Sequence, residues 1–299
     1  MHTETHLIVG PGALGRLVAL HLAEPVSVVL AGRRPLPARQ TLTTPEGERR
    51  THRLDMADVR ALPAMAPSFI HLTTKAYASE AAYASLFEQL PATTPLVLWQ
   101  NGYQVQPELS RRHPGPVLCA STTEGAWVAN DGAVVHAGRG MTYIGDLAHR
   151  HAELSQRLAG ILDRAGLAAR AVDDIATRLW HKLVINAVIN PLTARFRIRN
   201  GQLRDPPFRS MVERLVNEIA PILSAEDIEP PDAGWHALVW RVVEGTAHNR
   251  ASMLQDVLTG RPLEREAILQ PLMVAAVRHG LATPFLAELD RDLARLSPS

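Results

Sequence analysis

HLIVGPGALG, residues 6–15, decides the reading of the first half of the chain. The apolar run Leu7-Ile8-Val9 leads straight into Gly10, Gly12 and Gly15, and an apolar helical pattern follows. That order is strand, tight turn, helix. Gly10 permits the turn, Gly12 lets a pyrophosphate approach the backbone, and Gly15 lets the helix pack close to the strand. The helix N-terminus then points unpaired N–H groups and a partial positive charge at the phosphates. Gly10, Pro11, Gly12, Ala13, Leu14 and Gly15 are therefore the expected cradle of a dinucleotide. Glycines also cluster by chance, and a structural turn in another α/β fold would show the same letters; the strand-to-helix context carries the assignment.

The second strand reads Val26-Ser27-Val28-Val29-Leu30-Ala31 and runs into Gly32-Arg33-Arg34. Folds of this kind that take NAD place a carboxylate there, on the ribose hydroxyls. A carboxylate would repel a 2′-phosphate, whereas a guanidinium grips one with paired, charge-assisted bonds. NADPH is the expected cofactor, with Arg33 on the phosphate and Arg34 reinforcing the field. As solvated loop residues the two arginines would look the same.

Composition narrows the class. A chain of 299 residues has room for two ordinary domains, and 46 % hydrophobic residues supply a large core. A net charge of +1 argues against a nucleic-acid partner. The lone cysteine, Cys119, sits in an apolar run, Val117 to Ala120, and reads as a buried core residue of a protein from a reducing compartment. No apolar stretch spans a bilayer, and the start runs almost directly into the first strand, leaving no room for a signal peptide. A cytoplasmic protein with no membrane contact is expected.

The pattern divides near residue 173, giving a dinucleotide-binding domain over 1–173 and a helical domain over 174–299. Short strands are read at Thr41–Thr44, Thr51–Leu54, Ser68–Thr73, Leu96–Trp99, Val117–Ser121, Ala133–His136 and Met141–Ile144, with a helix over Tyr77–Leu90. They predict one open, mostly parallel sheet with some antiparallel additions. Beyond Asp173 the periodicity is helical at Ile175–Arg195, Phe208–Ala225, Trp235–Leu258, Leu263–His279 and Pro284–Leu296. A ligand cleft is expected where the domains meet, beyond the carboxyl ends of the strands. Lys75 and Asn101 each follow a predicted strand and would line that edge; on position alone each is equally an exposed loop residue. Lys182, Asn186 and Asn190 recur every fourth residue on one face of an otherwise apolar helix. Buried amides need partners, and a substrate with hydroxyls and a carboxylate supplies them; a solvated polar stripe is the alternative. Pro191 should kink or end this helix.

Several of these stretches resemble the ketopantoate reductase (2-dehydropantoate 2-reductase) family. GPGALG resembles its opening glycine motif; Thr74-Lys75-Ala76 and Gln100-Asn101-Gly102 resemble its two cofactor-side loops. Trp180 to Ala194, WHKLVINAVINPLTA, resembles its catalytic helix, and Ala251 to Asp256 followed by Glu264 resembles its later helical motif. The resemblance implies a Rossmann-type domain joined to an all-helical domain of the 6-phosphogluconate dehydrogenase C-terminal type. It implies reduction of 2-dehydropantoate to (R)-pantoate by NADPH, toward pantothenate and coenzyme A. It also implies roles: Lys182 as general acid, Glu264 as the active-site glutamate, and Asn101, Asn186, Asn190 and Ser252 on substrate. Lys75 lies near the nicotinamide side and Arg33 near the 2′-phosphate; Asn249, read as one helical turn before Ser252, joins the substrate set. Glu124 departs from the pattern, standing where many members carry histidine, which bears on substrate preference.

The chemistry is coherent on its own terms. Ketone reduction needs a hydride from the nicotinamide and a proton donor beside the developing alkoxide, and an ammonium on a rigid helix meets the second need. Partial burial lowers a lysine pKa toward working pH. Glu264 opposes that shift at close range, so orienting the lysine and accepting a substrate hydroxyl is its expected part. Ser252 and an asparagine amide would take the carboxylate. Other readings are a same-fold reductase of another small 2-oxo acid, and a non-catalytic NADPH sensor. The 13 histidines are scattered, without an HExxH pair, and predict no metal site. The apolar helical domain offers a face for a homodimer, and a hinge is expected near Asp173.

Overall fold

The computed structural model describes residues 4–296. By compactness the chain forms two units, Met1–Gln100 with Val105–Ala176, and Asn101–Gln104 with Thr177–Ser299.

The first unit opens with β1 (Thr5–Val9), α1 (Ala13–Leu22) and β2 (Ser27–Gly32), followed by β3 (Arg39–Thr43), β4 (Arg49–Arg53), β5 (Asp55–Asp58) and β6 (Phe69–Leu72). Then come α2 (Ser79–Phe87), β7 (Leu96–Leu98), α3 (Val105–Arg112), β8 (Val117–Thr122) and β9 (Gly125–Val128). The unit ends with β10 (Val134–Gly138), β11 (Thr142–Gly145), α4 (Ala152–Arg164) and β12 (Ala169–Ala171). Eight strands make one sheet in the order β12-β11-β8-β7-β6-β1-β2-β5. All its pairs are parallel except β8 with β11. Leu7, Ile8, Phe69, Ile70, Leu72 and Leu96 to Leu98 are fully buried, the continuous apolar run of strands covered on both faces.

The expectation of a single sheet is corrected. β3, β4, β9 and β10, which include the stretches read at 41–44, 51–54 and 133–136, form a separate four-stranded sheet in the order β4-β3-β10-β9. Burial alternates along β3 and β10, with Gln40, Leu42, Val134 and His136 inward, and this sheet packs on α1. Periodicity finds such strands but not their partners. The sequence reading also omits α3 and α4.

The second unit holds α5 (Ile175–Phe196), whose first two residues group with the first unit. It continues with α6 (Phe208–Ala225), α7 (Gly234–Gly245), α8 (Ser252–Leu258), α9 (Arg265–Arg278) and α10 (Pro284–Leu296). The expected helix over Trp235–Leu258 is two helices, broken at 246–251, where Gly201 and Asn200 donate backbone N–H groups to Ala247 and Asn249. α5 is the central element: every residue from Ala187 to Ala194 is buried. That packing carries the helix five residues past Pro191 to Phe196, so the helix does not end at the proline. The Thr193 hydroxyl lies 2.8 Å from the Ile189 carbonyl and 3.1 Å from that of Asn190, next to the ladder position that proline cannot fill.

A buried polar chain crosses the large sheet. Trp99 Nε1–H donates to His71 Nδ1 at 3.1 Å, which leaves His71 Nε2–H to donate to His6 Nδ1 at 2.9 Å. His6 Nε2–H then donates to Glu4 at 3.1 Å. The chain works only with both imidazoles neutral, because an extra proton sets two N–H groups face to face. Burial pushes the His71 pKa well below its usual value and lowers that of His6 against the pull of Glu4. Histidines held neutral in the fold bind fewer protons than in the unfolded chain, so stability is complete above the unfolded pKa and is lost as pH falls below about 6.5. The urea midpoint should therefore drop between about pH 6.5 and 5, and His71→Gln should flatten that drop; an unchanged slope in the variant would contradict the account.

Candidate active site

In the large sheet β1 lies between β2 and β6, so the chain turns to opposite sides of β1, and ligands of such sheets bind at that reversal. Gly10, with φ at +106°, makes the turn out of β1, and a Cβ there would lie 2.7 Å from the Thr74 nitrogen. A Cβ on Gly15 would collide with the Gly10 carbonyl and the Thr73 hydroxyl, whereas one on Gly12 would meet nothing within 4 Å. Two glycines thus serve packing, and the middle one leaves open space above the loop. No side chain caps α1 and no acid stands in its first turn, so its N–H groups are available to an anion. The Thr73 hydroxyl, 2.9 Å from the Val9 carbonyl and 2.8 Å from that of Gly10, fastens the loop to the end of β6; the sequence reading passes over it.

Pro11 seats its ring on Gly32, where a Cβ would come within 2.5 Å of it, so the glycine loop abuts the end of β2. Arg33 and Arg34 follow, both exposed and without an ion pair among the described residues. Asp58, paired in register with Gly32, is taken by Arg60 at 2.6 Å, which holds its carboxyl down at about 2. The end of β2 therefore offers free guanidinium groups, the donor set a 2′-phosphate needs. Lys75 is half-buried after β6, and its carbonyl accepts from Ala78 N–H at 2.9 Å. The loop, the uncapped helix and the free arginines fit an NADP-type dinucleotide.

In the second unit Asn101 Nδ2 donates to Glu264 Oε2 at 3.4 Å. Glu264 is buried immediately before α9. Gly102 lies against the backbone of Ala267, with no room for a Cβ, and Tyr103 N–H donates to the Ala267 carbonyl at 3.3 Å. Tyr103 also packs on Trp180 of α5, with ring centroids 4.8 Å apart. Lys182, Asn186 and Asn190 share one face of α5, and the amide nitrogens of both asparagines are buried without a partner. Two orphaned donors in a well-packed helical unit are costly unless a ligand accepts from them.

Desolvation pushes the Lys182 pKa down to about 8, and the Glu264 carboxylate acts the other way. Lys182 forms no ion pair among the described residues, so Glu264 acts as a nearby field. The sequence held a signal for both lysines. Of 31 cationic residues, 29 are arginine, and Lys75 and Lys182 are the only lysines. Lysine, unlike arginine, shifts its pKa readily when buried, so the two lysines stand out in a chain whose other cations are arginine.

Ser252 is the exposed first residue of α8. Asn249 is corrected: it lies in the turn before that helix rather than on it, exposed, with its carbonyl accepting from Asn200 N–H at 3.1 Å. The Glu124 side chain is buried in the first unit 2.6 Å from His136, a carboxylate–imidazole pair inside the fold. Cys119 is fully buried, and burial pushes its thiol up to about 12, which makes it a poor nucleophile. The open space above Gly12 gives a clean test. Gly12→Ala should lower Tm by only about 2–4 °C while abolishing detectable dinucleotide binding by fluorescence titration; retained affinity would remove Gly12 from the phosphate site.

Comparison with known proteins agrees with this geometry. The model of the family described as ketopantoate reductase PanE/ApbA matches residues 6–149, and that of its C-terminal part matches residues 174–291. The 2-dehydropantoate 2-reductase of Vibrio cholerae is 31 % identical over 98 % of each chain. That of Archaeoglobus fulgidus is 34 % identical over 90 % of this chain and 89 % of its own. A probable 2-dehydropantoate 2-reductase from Bacillus subtilis superposes with a TM-score of 0.81 at 26 % identity, over 98 % of this chain and all of its own. D-mandelate dehydrogenase, solved with NADH and anilino(oxo)acetate, has a TM-score of 0.89 at 20 % identity over 98 % of each chain, a likeness of fold. With both halves matched in order and relatives aligned over nearly the full length, this chain belongs to the ketopantoate reductase family.

Proposed function

We propose that this chain reduces 2-dehydropantoate to (R)-pantoate with NADPH. The observation that carries the reading is one face of α5: an ammonium drawn toward neutral pH beside two buried asparagine amides that lack acceptors. The names of the relatives support the substrate. Bound NADPH supplies the hydride to the carbonyl carbon. Lys182 Nζ gives its proton to the carbonyl oxygen as negative charge grows there. Asn186 and Asn190 donate to substrate oxygens. Glu264 orients the lysine and accepts from a substrate hydroxyl, with Asn101 fixed on its Oε2. Ser252 donates to the substrate carboxylate, Arg33 holds the 2′-phosphate, and Lys75 stands on the nicotinamide side. The sequence expectations of a homodimer and a cytoplasmic location belong to the same proposal. The ketopantoate reductase of Staphylococcus aureus is dimeric, and among the described residues no helix is long and apolar enough to cross a membrane.

The direct test is NADPH oxidation by purified protein with ketopantoate, with NADH and with a panel of other 2-oxo acids. Ketopantoate with NADPH should be preferred; a preference for another 2-oxo acid would keep the chemistry and reassign the substrate. Lys182→Ala should cut kcat by about 10²–10⁴-fold with NADPH affinity unchanged, and near-normal turnover would sink the lysine assignment. A proton donor must be protonated, so kcat should fall as pH rises through about 8. Removing the carboxylate that props up the ammonium, in Glu264→Gln, should move that limb to lower pH; a shift upward would reverse the roles. Arg33→Ala should raise KM for NADPH by about tenfold or more and leave KM for NADH nearly alone, and equal effects would take Arg33 off the phosphate.

A further inference from the structure

The end of β6 is held by one buried side chain that no role above uses. Gln100 follows β7 and is only 3 % exposed. Its Nε2 donates to the Leu72 carbonyl at 2.7 Å and to the Thr74 carbonyl at 3.3 Å. These acceptors lie at and just beyond the last residue of β6, and the second belongs to the residue before Lys75. Trp99 N–H makes the last backbone bond to the Leu72 carbonyl at 3.2 Å, and the amide adds a second donor to that oxygen and carries the tie on to Thr74. Gln106, wholly buried in α3, in turn donates its Nε2 to the Gln100 carbonyl at 2.8 Å.

Both glutamine Oε1 atoms are buried without a partner. A site that needed only volume would hold leucine or methionine and escape that cost. What glutamine alone supplies here is the pair of N–H groups, and their target is the segment that carries one of the chain's two lysines. Thr73 fastens the other side of that segment to the glycine loop. The segment between β6 and α2 is thus pinned from two sides, by a threonine hydroxyl and by a glutamine amide.

We infer that Gln100, backed by Gln106, is a positioning residue that sets Lys75 for the reaction through the Leu72 and Thr74 carbonyls. The inference deepens the proposed reduction, on which the role of Lys75 rests. It requires that Gln100 act through Lys75 rather than on the fold at large.

The test is a double-mutant cycle of Gln100→Leu and Lys75→Ala, read as kcat and KM with NADPH and ketopantoate, alongside hydrogen exchange of the free protein. Gln100→Leu should lower kcat by about 10- to 100-fold, with KM for ketopantoate within about threefold. Adding it to Lys75→Ala should cost nothing more, because the group it positions is gone. Exchange at residues 73–76 should speed up by roughly tenfold, with α6 and α9 unchanged. Additive losses, or unchanged exchange at 73–76, would overturn the inference. Should Gln100→Leu fail to fold, Gln100→Glu serves: a protonated acid still donates to the Leu72 carbonyl, whereas a carboxylate repels both. Its kcat relative to wild type should recover as pH falls, and a ratio flat with pH would overturn the inference. If wild type reduces no 2-oxo acid, the proposed function fails, and exchange at 73–76 alone decides whether Gln100 holds the segment.

Discussion

Close approach of backbone to backbone at the end of β1 is the constraint on which the first unit depends. Gly10 and Gly15 are tight against Thr73, Thr74 and each other, and a methyl group at either position would force strand, loop and helix apart. Gly12 has the same chemistry and the opposite circumstance, since nothing fills the space its side chain would take. Steric economy at two positions therefore fixes a loop whose third position is left for a ligand. Pro11 on Gly32 extends the fixation to the end of β2, so the place where phosphates would lie and the arginines that would read a 2′-phosphate are set by the same contacts.

The second unit solves a different problem, keeping a charge usable inside a packed helical body. α5 is buried nearly all round at its C-terminal half, which makes it a rigid base, and burial of the lysine itself lowers the Lys182 pKa. Desolvation lowers the ammonium's pKa, and the Glu264 carboxylate opposes part of that fall. The balance leaves an acid whose pKa lies near the pH at which it would work. The same burial leaves the amides of Asn186 and Asn190 without partners, so the stability that those groups forgo is recoverable only when a ligand accepts from them.

Local features were legible in the sequence. The glycine loop shows because strand, spaced glycines and helix follow one another along the chain, although the atoms that crowd Gly10 and Gly15 include those of the distant Thr73 and Thr74. The face of Lys182, Asn186 and Asn190 shows because helical spacing alone aligns it. Features that rest on distant pairing were not legible. The stretches of β3, β4 and β10 read as strands but cannot be assigned to a second sheet from the sequence, because β10 pairs with β3 about ninety residues earlier, and β9 is not read as a strand at all. An apolar pattern through 235–258 reads as one helix carrying Asn249, whereas backbone bonds from Asn200 and Gly201 break it there. The helix does not end at Pro191, since propensity yields to burial in the centre of a helical unit. The use of arginine for 29 of 31 cations was visible throughout and is the plainest sequence pointer to Lys75 and Lys182.

That scarcity of lysine opens the most direct measurement. Lysine-selective isotopic labelling gives a protein with two lysine side-chain signals, assigned with Lys75→Arg, and a pH titration followed by NMR reads the Lys182 ammonium itself. The account predicts a midpoint near 8 for Lys182, displaced downward in Glu264→Gln. A midpoint near the ordinary lysine value of about 10.4, indifferent to Glu264, would contradict the claim that burial and one carboxylate tune this group as the proton donor.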